Sequence, residues 1–343
     1  MPLPSTVSNG VKAYNLSAAK ISPKWETAKS EKNRVEEPDR ENSIELLQDF
    51  SFPSSTTLIR ISEDNGHLVT AGTYKPQIKA FELSQLSLKF ERHLEEETVD
   101  FRILSEDYSK LCFLRRDRFL EFHTQFGSHY KTKLPQNGRN MIFNRFNCDL
   151  LIASSRKEVY RLNLEEGRFK KSITTDLELN HGALHDKLRF YAFGGEDHVA
   201  CFDERSNGEI ASFEVQKSLE NGSETVNGIR RIAFDKSGAS NDLLMAVGTG
   251  SGRTLVYDIR MKKPLFAKDH RNERPIVDLS FHSSDKFVSA DQNGIKFWDC
   301  KTVFATNFGI LVIAEFIKIL VDKDLNLSLK YISSFVGMST LHF

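Results

Sequence analysis

Six recurrences of one strand pattern, an aromatic residue at a fixed place in each, and turn residues recurring at about 40 residues predict an all-β chain folded as a propeller of four-stranded blades. The units span Thr57–Phe90, Val99–Leu134, Gly138–Ile173, Leu179–Val215, Gly228–His270 and Pro275–Cys300. Each opens on an alternating strand, passes a polar turn into an apolar strand, and returns through a tight turn to a strand ending in an aromatic ring. Alternation of period two gives a strand two unequal faces, and here one face packs on the neighbouring blade. Phe81, Phe122, Tyr160, Phe202, Tyr257 and Trp298 hold the equivalent place, where a ring buries a large apolar area.

Composition agrees with pleated sheet. The chain carries 26 Phe against 2 Trp, and 39% of it is hydrophobic, enough for a real core. Its 47 basic and 47 acidic side chains cancel, which excludes a protein that binds nucleic acid by bulk charge. Any RNA contact must come from a local patch or through a partner. Cys112, Cys148, Cys201 and Cys300 are too scattered for a zinc knuckle or a redox motif, and read as reduced thiols of a cytosolic or nuclear protein. Met1–Gly10 lacks the charged and apolar regions of a signal peptide. Val303–Val321 approaches membrane-spanning length, but Glu315 and Lys318 would be costly at a bilayer centre, so no membrane segment is expected.

The sixth unit is the most regular. It ends in Trp298-Asp299, the dipeptide of WD40-type blades, and His270, Ser289, Asp291 and Trp298 approximate the hydrogen-bonded tetrad of such blades. The spacing is a residue short, so Asn293 is an alternative to Asp291. A Ser, a His and an Asp together also suggest a hydrolase triad, but the repeat context favours the structural role. At the other end, Asn9-Gly10-Val11-Lys12-Ala13-Tyr14 repeats the type and spacing of Asn293-Gly294-Ile295-Lys296-Phe297-Trp298. A strand of residues 1–21 is therefore expected to close the last blade, removing an exposed sheet edge. Residues 22–43 are charged and read as a connecting arm, and 44–302 as the blades. Residues 303–343 are apolar, without turn signals at blade spacing, and fall outside the repeat. The expectation is a seven-bladed ring whose last blade is incomplete here.

In such blades the turn between the second and third strands shares a rim with the connection to the next blade. The first three turns contribute Thr73-Tyr74-Lys75, Arg115-Arg116-Asp117-Arg118 and Ser155-Arg156-Lys157. The others contribute Glu196-Asp197-His198, Ser251-Gly252-Arg253 and Asp291-Gln292-Asn293. Half of the rim is thus expected to be basic, with Tyr74, Lys75, Arg115, Arg116, Arg118, Arg156 and Lys157 as candidate contacts for an acidic partner or RNA phosphates. Ordinary solvated turns are the competing explanation. Gly248-Thr249-Gly250-Ser251-Gly252 resembles a phosphate-cradling loop only loosely, lacking the following Lys-Ser/Thr and a helix to open. His181 and His185 have the i, i+4 spacing of metal ligands on a helix but lack the intervening Glu. No catalytic residue, metal or cofactor site, or small-molecule substrate is expected.

Longer runs carry a family resemblance. IELLQDFSFP (Ile44–Pro53), AGTYKPQIKAFELSQLSLKFER (Ala71–Arg92), ILSEDYSKLCFL (Ile103–Leu114), DRFLEFHTQFGSHYKTKLP (Asp117–Pro135), EVYRLNLEEGR (Glu158–Arg168) and MAVGTGSGRTLVYDIRMKKPLFAKDH (Met245–His270) resemble the nucleolar protein 10 family. The resemblance covers about residues 11–300 and departs after Thr302. There the composition becomes that of A/T-rich codons and opens on Val303, as a retained intron or a mis-called exon would, the alternative being a genuine lineage-specific tail. The resemblance implies a nucleolar, non-enzymatic scaffold of the small-subunit processome in ribosome biogenesis. Its partners would be other processome proteins, and precursor rRNA either directly or through them. Fold alone would equally allow an adaptor of another complex, such as a ubiquitin ligase.

Overall fold

The alternating segments become strands because their β-branched and aromatic residues can cover two faces at once. In the computed structural model the described residues are 5–8, 11–15, 45–47, 52 and 55–299 apart from 85–86, 206–207, 216–226, 236–242 and 284–285, together with 305–308. They form six four-stranded antiparallel sheets and one three-stranded sheet, with no helix among them. In each four-stranded sheet the strands pair in chain order, first to fourth. First strands of consecutive sheets lie against each other from the first blade to the sixth, so they are the inner strands of the ring. The first strands are Thr56–Ile61, Thr98–Ile103, Gly138–Asn144, His181–His185, Ile229–Phe234 and Asp278–Ser283.

Burial follows position in the blade. The second strand Asp149–Ser154 is buried along its whole length, whereas the fourth strand Arg168–Thr174 is largely exposed. Each apolar cluster joins two neighbouring blades. One combines Val69, Ile78 and Ala80 with Phe101, Leu111 and Phe113, and another combines Val199 and Phe213 with Met245, Val247 and Tyr257. The aromatic residue at the fixed place lies on the third strand of every blade, and all but the half-buried Phe122 are buried. Edge-to-face contact of Phe213 with Tyr257, at 5.5 Å, typifies how these rings lock successive blades.

Two glycines of the fifth-blade motif serve packing and geometry, not ligand binding. Gly248 ends a second strand, where a Cβ would come within 2.8 Å of Ile276 Cγ2 in the next connection. Gly252 sits in the turn with φ of +85°, which an L side chain rarely adopts.

Two segments differ from the expected division. The sequence places residues 303–343 outside the repeat, yet Ala305–Phe308 is the fourth strand of the sixth blade, pairing Ile295 with Phe308 and Trp298 with Ala305. An outer strand this short needs only backbone pairing, so it carries no alternation to read. The one strand expected in residues 1–21 is joined by a second: Val11–Asn15 is the middle of the three-stranded sheet, with Ser5–Ser8 on one side and Glu45–Leu47 on the other. The Asn9-Gly10 pair favours a tight hairpin, which gives that strand a local partner. Among the described residues there are thus six four-stranded blades, not seven. The arm at 22–43 and residues 309–343 lie outside the described residues.

Candidate interaction surface

One rim is built the same way in the first five blades. The residue after the fourth strand donates its N–H to the carbonyl of the turn between the second and third strands. This joins Leu94 to Pro76, Leu134 to Arg118, Thr175 to Lys157, Val215 to Asp197 and His270 to Gly252 at 2.8 to 3.1 Å. Turn and connection therefore form one continuous edge.

The candidate basic residues divide on this edge. Tyr74 is 73% exposed and Lys75 beside it is exposed. Arg156 and Lys157 are exposed and enter no ion pair among the described residues. Arg116 is exposed but reaches Glu97 at 3.2 Å. Arg118, at a φ of 70°, is half-buried and donates to the Pro135 carbonyl.

Arg115 is not on the surface. Its side chain is only 1% exposed and meets Glu95 at 2.9 Å, Asp117 at 2.6 Å and Glu121 at 2.9 Å. Glu121 in turn bonds His123 and Ser128. Burial opposes the Arg115 charge, but these carboxylates outweigh it and raise its pKa. Arg115 is thus a structural cation, and it leaves the contact set. The run Glu95-Glu96-Glu97 explains both this and the pairing of Arg116. It lies in the blade connection, which shares the rim, and a reading of turns alone passes over it. The second blade's rim is accordingly close to neutral, and exposed positive charge without an acidic partner among the described residues is at Lys75 on the first blade and at Arg156 and Lys157 on the third.

The sixth-blade residues form one buried chain. Trp298 Nε1 donates to Ser289 Oγ at 2.7 Å, and His270 Nε2 lies 2.5 Å from the same oxygen. His270 Nδ1 is 3.2 Å from Asp291 Oδ2, an ion-pair distance without hydrogen-bond alignment. Asp291 is the member of this chain; Asn293 is exposed and gives it only a backbone N–H, at 2.7 Å. Burial pushes the His270 pKa down, against the pull of Asp291. Ser289 is fully buried between an indole and an imidazole, so no substrate reaches it.

Other chemistry is equally closed. His181 and His185 lie on a strand, not a helix, so their Cα atoms are roughly 13 Å apart at the rise of a β-strand. His185 meets Phe234 edge-on, and His181 Nδ1 accepts the Ile232 N–H. No group of three metal-capable side chains occurs among the described residues. Burial pushes the Cys112 and Cys201 thiols far up, out of reach of the thiolate form. No helix among the described residues is long and apolar enough to cross a membrane. A cavity of about 330 Å³ at the hub is ringed by the inner strands, with Arg60, Arg102, Arg145, Glu63 and Asp186 in its lining and Arg145 paired with Glu63.

Blades joined through inner strands, with a buried Asp-His-Ser-Trp chain and charged turns along one rim, define a WD40-type β-propeller. Solved structures agree on the fold: U3-55K and the RRP9 WD40 repeats each superpose with a TM-score of 0.62 at 12% identity, over 77% of this chain and 85% and 84% of theirs. The chain belongs to the nucleolar protein 10 family, whose model, "Nucleolar protein 10-like, N-terminal domain", matches residues 4–326. Nucleolar protein 10 of Danio rerio is 42% identical over 297 residues, which is 85% of this chain and 41% of that protein. The Homo sapiens protein is 38% identical over 295 residues, covering 85% and 43%. Ribosome biogenesis protein ENP2 of Saccharomyces cerevisiae is 35% identical over 309 residues, covering 87% and 43%. The chain therefore spans less than half the length of these relatives.

Proposed function

We propose that this chain serves ribosome biogenesis in the nucleolus as a non-enzymatic scaffold of the small-subunit processome. Membership in a family whose relatives are named nucleolar protein 10 and ribosome biogenesis protein ENP2 carries this reading. The geometry supports a binding role: the Arg115 and Ser289 clusters are buried and hold the fold together, while the rim turns stay open to partners. Tyr74, Lys75, Arg156 and Lys157 are the exposed residues best suited to meet phosphates or an acidic segment. Arg116 and Arg118 contribute less, because Glu97 and the Pro135 carbonyl already engage them. With a net charge of zero, binding at such a patch is local and sensitive to salt.

The test is purification of the tagged chain, followed by sequencing of its RNA and mass spectrometry of its proteins. Enrichment of small-subunit rRNA precursor with other assembly factors is the expected result. Recovery of ubiquitin-ligase subunits without precursor rRNA would overturn it in favour of an adaptor in another complex.

A further inference from the structure

Successive blades meet in one repeated way, and the junction of the second with the third departs from it. The residues that tie the fourth strands to the rim are Leu94, Leu134, Thr175, Val215 and His270. Two places before them stand Arg92, Thr132, Ile173, Phe213 and Lys268. Four of these reach the next blade. Arg92 donates to the Thr124 and Gln125 carbonyls, and Ile173 packs on the apolar cluster that holds Tyr191 and Phe193. Phe213 meets Tyr257, and Lys268 lies 5.8 Å from the centre of the Trp298 ring. Thr132 is the shortest side chain of the five, and where the others fill space it lines a groove of about 600 Å³.

The groove lies beside the turns at 125–126 and 164–167, which join third to fourth strands on the rim opposite the basic turns. Leu111 and Phe122 of the second blade and Leu162 and Leu164 of the third form its walls, and the exposed rings of Tyr130 and Phe169 continue them outward. Its volume suits the burial of a large apolar group. Among the described residues five Phe and Tyr side chains are exposed, and four of them, Phe126, Tyr130, Phe146 and Phe169, belong to these two blades. Apolar surface gathered in this way marks a place of contact.

Charge selects the occupant. The two fourth strands that flank the groove, Gly127–Lys133 and Arg168–Thr174, hold five Lys and Arg residues and no Asp or Glu. The fourth strands Ser87–His93, Glu209–Glu214 and Pro264–Asp269 each carry at least one acid. Lys110 in the lining, Lys133 and Lys171 are exposed and enter no ion pair among the described residues. An acidic peptide is therefore drawn to this junction. Gly127–Lys133 is also the edge of its sheet, where an extended peptide can pair with the backbone. RNA would share the charge preference. The leucine walls, however, offer the polar edge of a base nothing in exchange for water, and Glu165 in the lining repels phosphate.

We propose that this groove docks an acidic segment of a partner protein, which inserts one aromatic or leucine side chain beside Thr132. The site is separate from the basic turns of the opposite rim and does not depend on the ribosomal role.

Selection of a random dodecapeptide phage library on the full chain tests it, with the affinity of the recovered peptides measured by fluorescence anisotropy. Recovered sequences are expected to combine Asp and Glu with a bulky apolar residue. Thr132→Phe fills the groove with the ring that Phe213 carries at the same place two blades on, and should weaken binding about 10-fold or more. Lys110→Glu with Lys133→Glu should also weaken it, most at low salt, whereas Arg156→Glu on the opposite rim should not. If Thr132→Phe fails to fold, Tyr130→Ser at an exposed ring takes its place, with the same loss expected. Recovery of no peptide, or of peptides that bind the folded variant as well as the unsubstituted chain, overturns the proposal. So does tighter binding of a ten-nucleotide oligouridine that the same variant abolishes, which would assign the groove to RNA. Self-association lost in that variant would overturn it too, in favour of a second copy of this chain.

Discussion

Replacing Asp100 by asparagine keeps its shape and removes one charge at the junction of three blades. The wild-type carboxylate is 4% exposed and lies 2.6 Å from Arg60 and 3.7 Å from Arg102, whose side chains are 11% and 23% exposed. Burial opposes the Asp100 charge, but Arg60 and Arg102 with the Met141 N–H hold its carboxyl well below the usual carboxylate range. The substitution leaves Arg60 partly buried beside a neutral amide. It also forces an NH2 group against either the Met141 N–H or the Arg60–Phe101 pair of donors, since both carboxylate oxygens are acceptors here. Breaking a buried pair from one side costs about 3–5 kcal/mol, and that is the expected loss at pH 7. A depressed carboxylate pKa contributes stability that is present above the unfolded value, near 3.8, and is lost as pH falls through the folded one. The deficit should therefore be the same at pH 7 and pH 5.5 and shrink only below about 4. Urea unfolding of both proteins across that range measures it. A loss under about 1 kcal/mol at pH 7 would refute the claim that this ion pair staples the inner strands.

Other outcomes follow from the same geometry. Arg156→Glu with Lys157→Glu should reduce co-sedimentation with pre-ribosomes while leaving the melting temperature nearly unchanged, as measured on gradients and by calorimetry. Arg115→Glu should instead unfold the second blade, at a cost of about 3–5 kcal/mol, because it sets a fourth carboxylate among Glu95, Asp117 and Glu121. His270 and His123 have pKa values lowered first by burial, so both are favoured neutral in the fold. Their contribution is full above the unfolded value near 6.5 and falls below it, by up to about 1.4 kcal/mol per pH unit for each. Unfolding midpoints measured from pH 7.5 to 5.5 should drop, and less so in His123→Gln. Gly194→Ala should destabilise by about 1–3 kcal/mol, since its Cβ would meet Ile229 Cγ2 at 2.5 Å.

The blades were legible in the sequence because their signals are local: Phe81, Phe202 and Tyr257 recur at one place, and His270, Ser289 and Trp298 are recognisable by type. What escaped depends on a neighbouring blade. Arg115 and Arg116 are adjacent in the chain, yet one is buried and the other exposed, and the difference comes from Glu95 and Glu97 in the preceding connection. Asp100 reads as an ordinary polar residue in an alternating strand until Arg60 and Met141 are brought to it from the blades on either side. Ala305–Phe308 carries no turn signal or alternation, so only its pairing with Ile295–Trp298 reveals it.

Depletion and rescue test the central claim most directly. Removing the protein from cells and quantifying rRNA should show small-subunit precursor accumulating and mature small-subunit rRNA falling, with large-subunit rRNA little changed. Unaltered small-subunit maturation after complete depletion would contradict the proposed role.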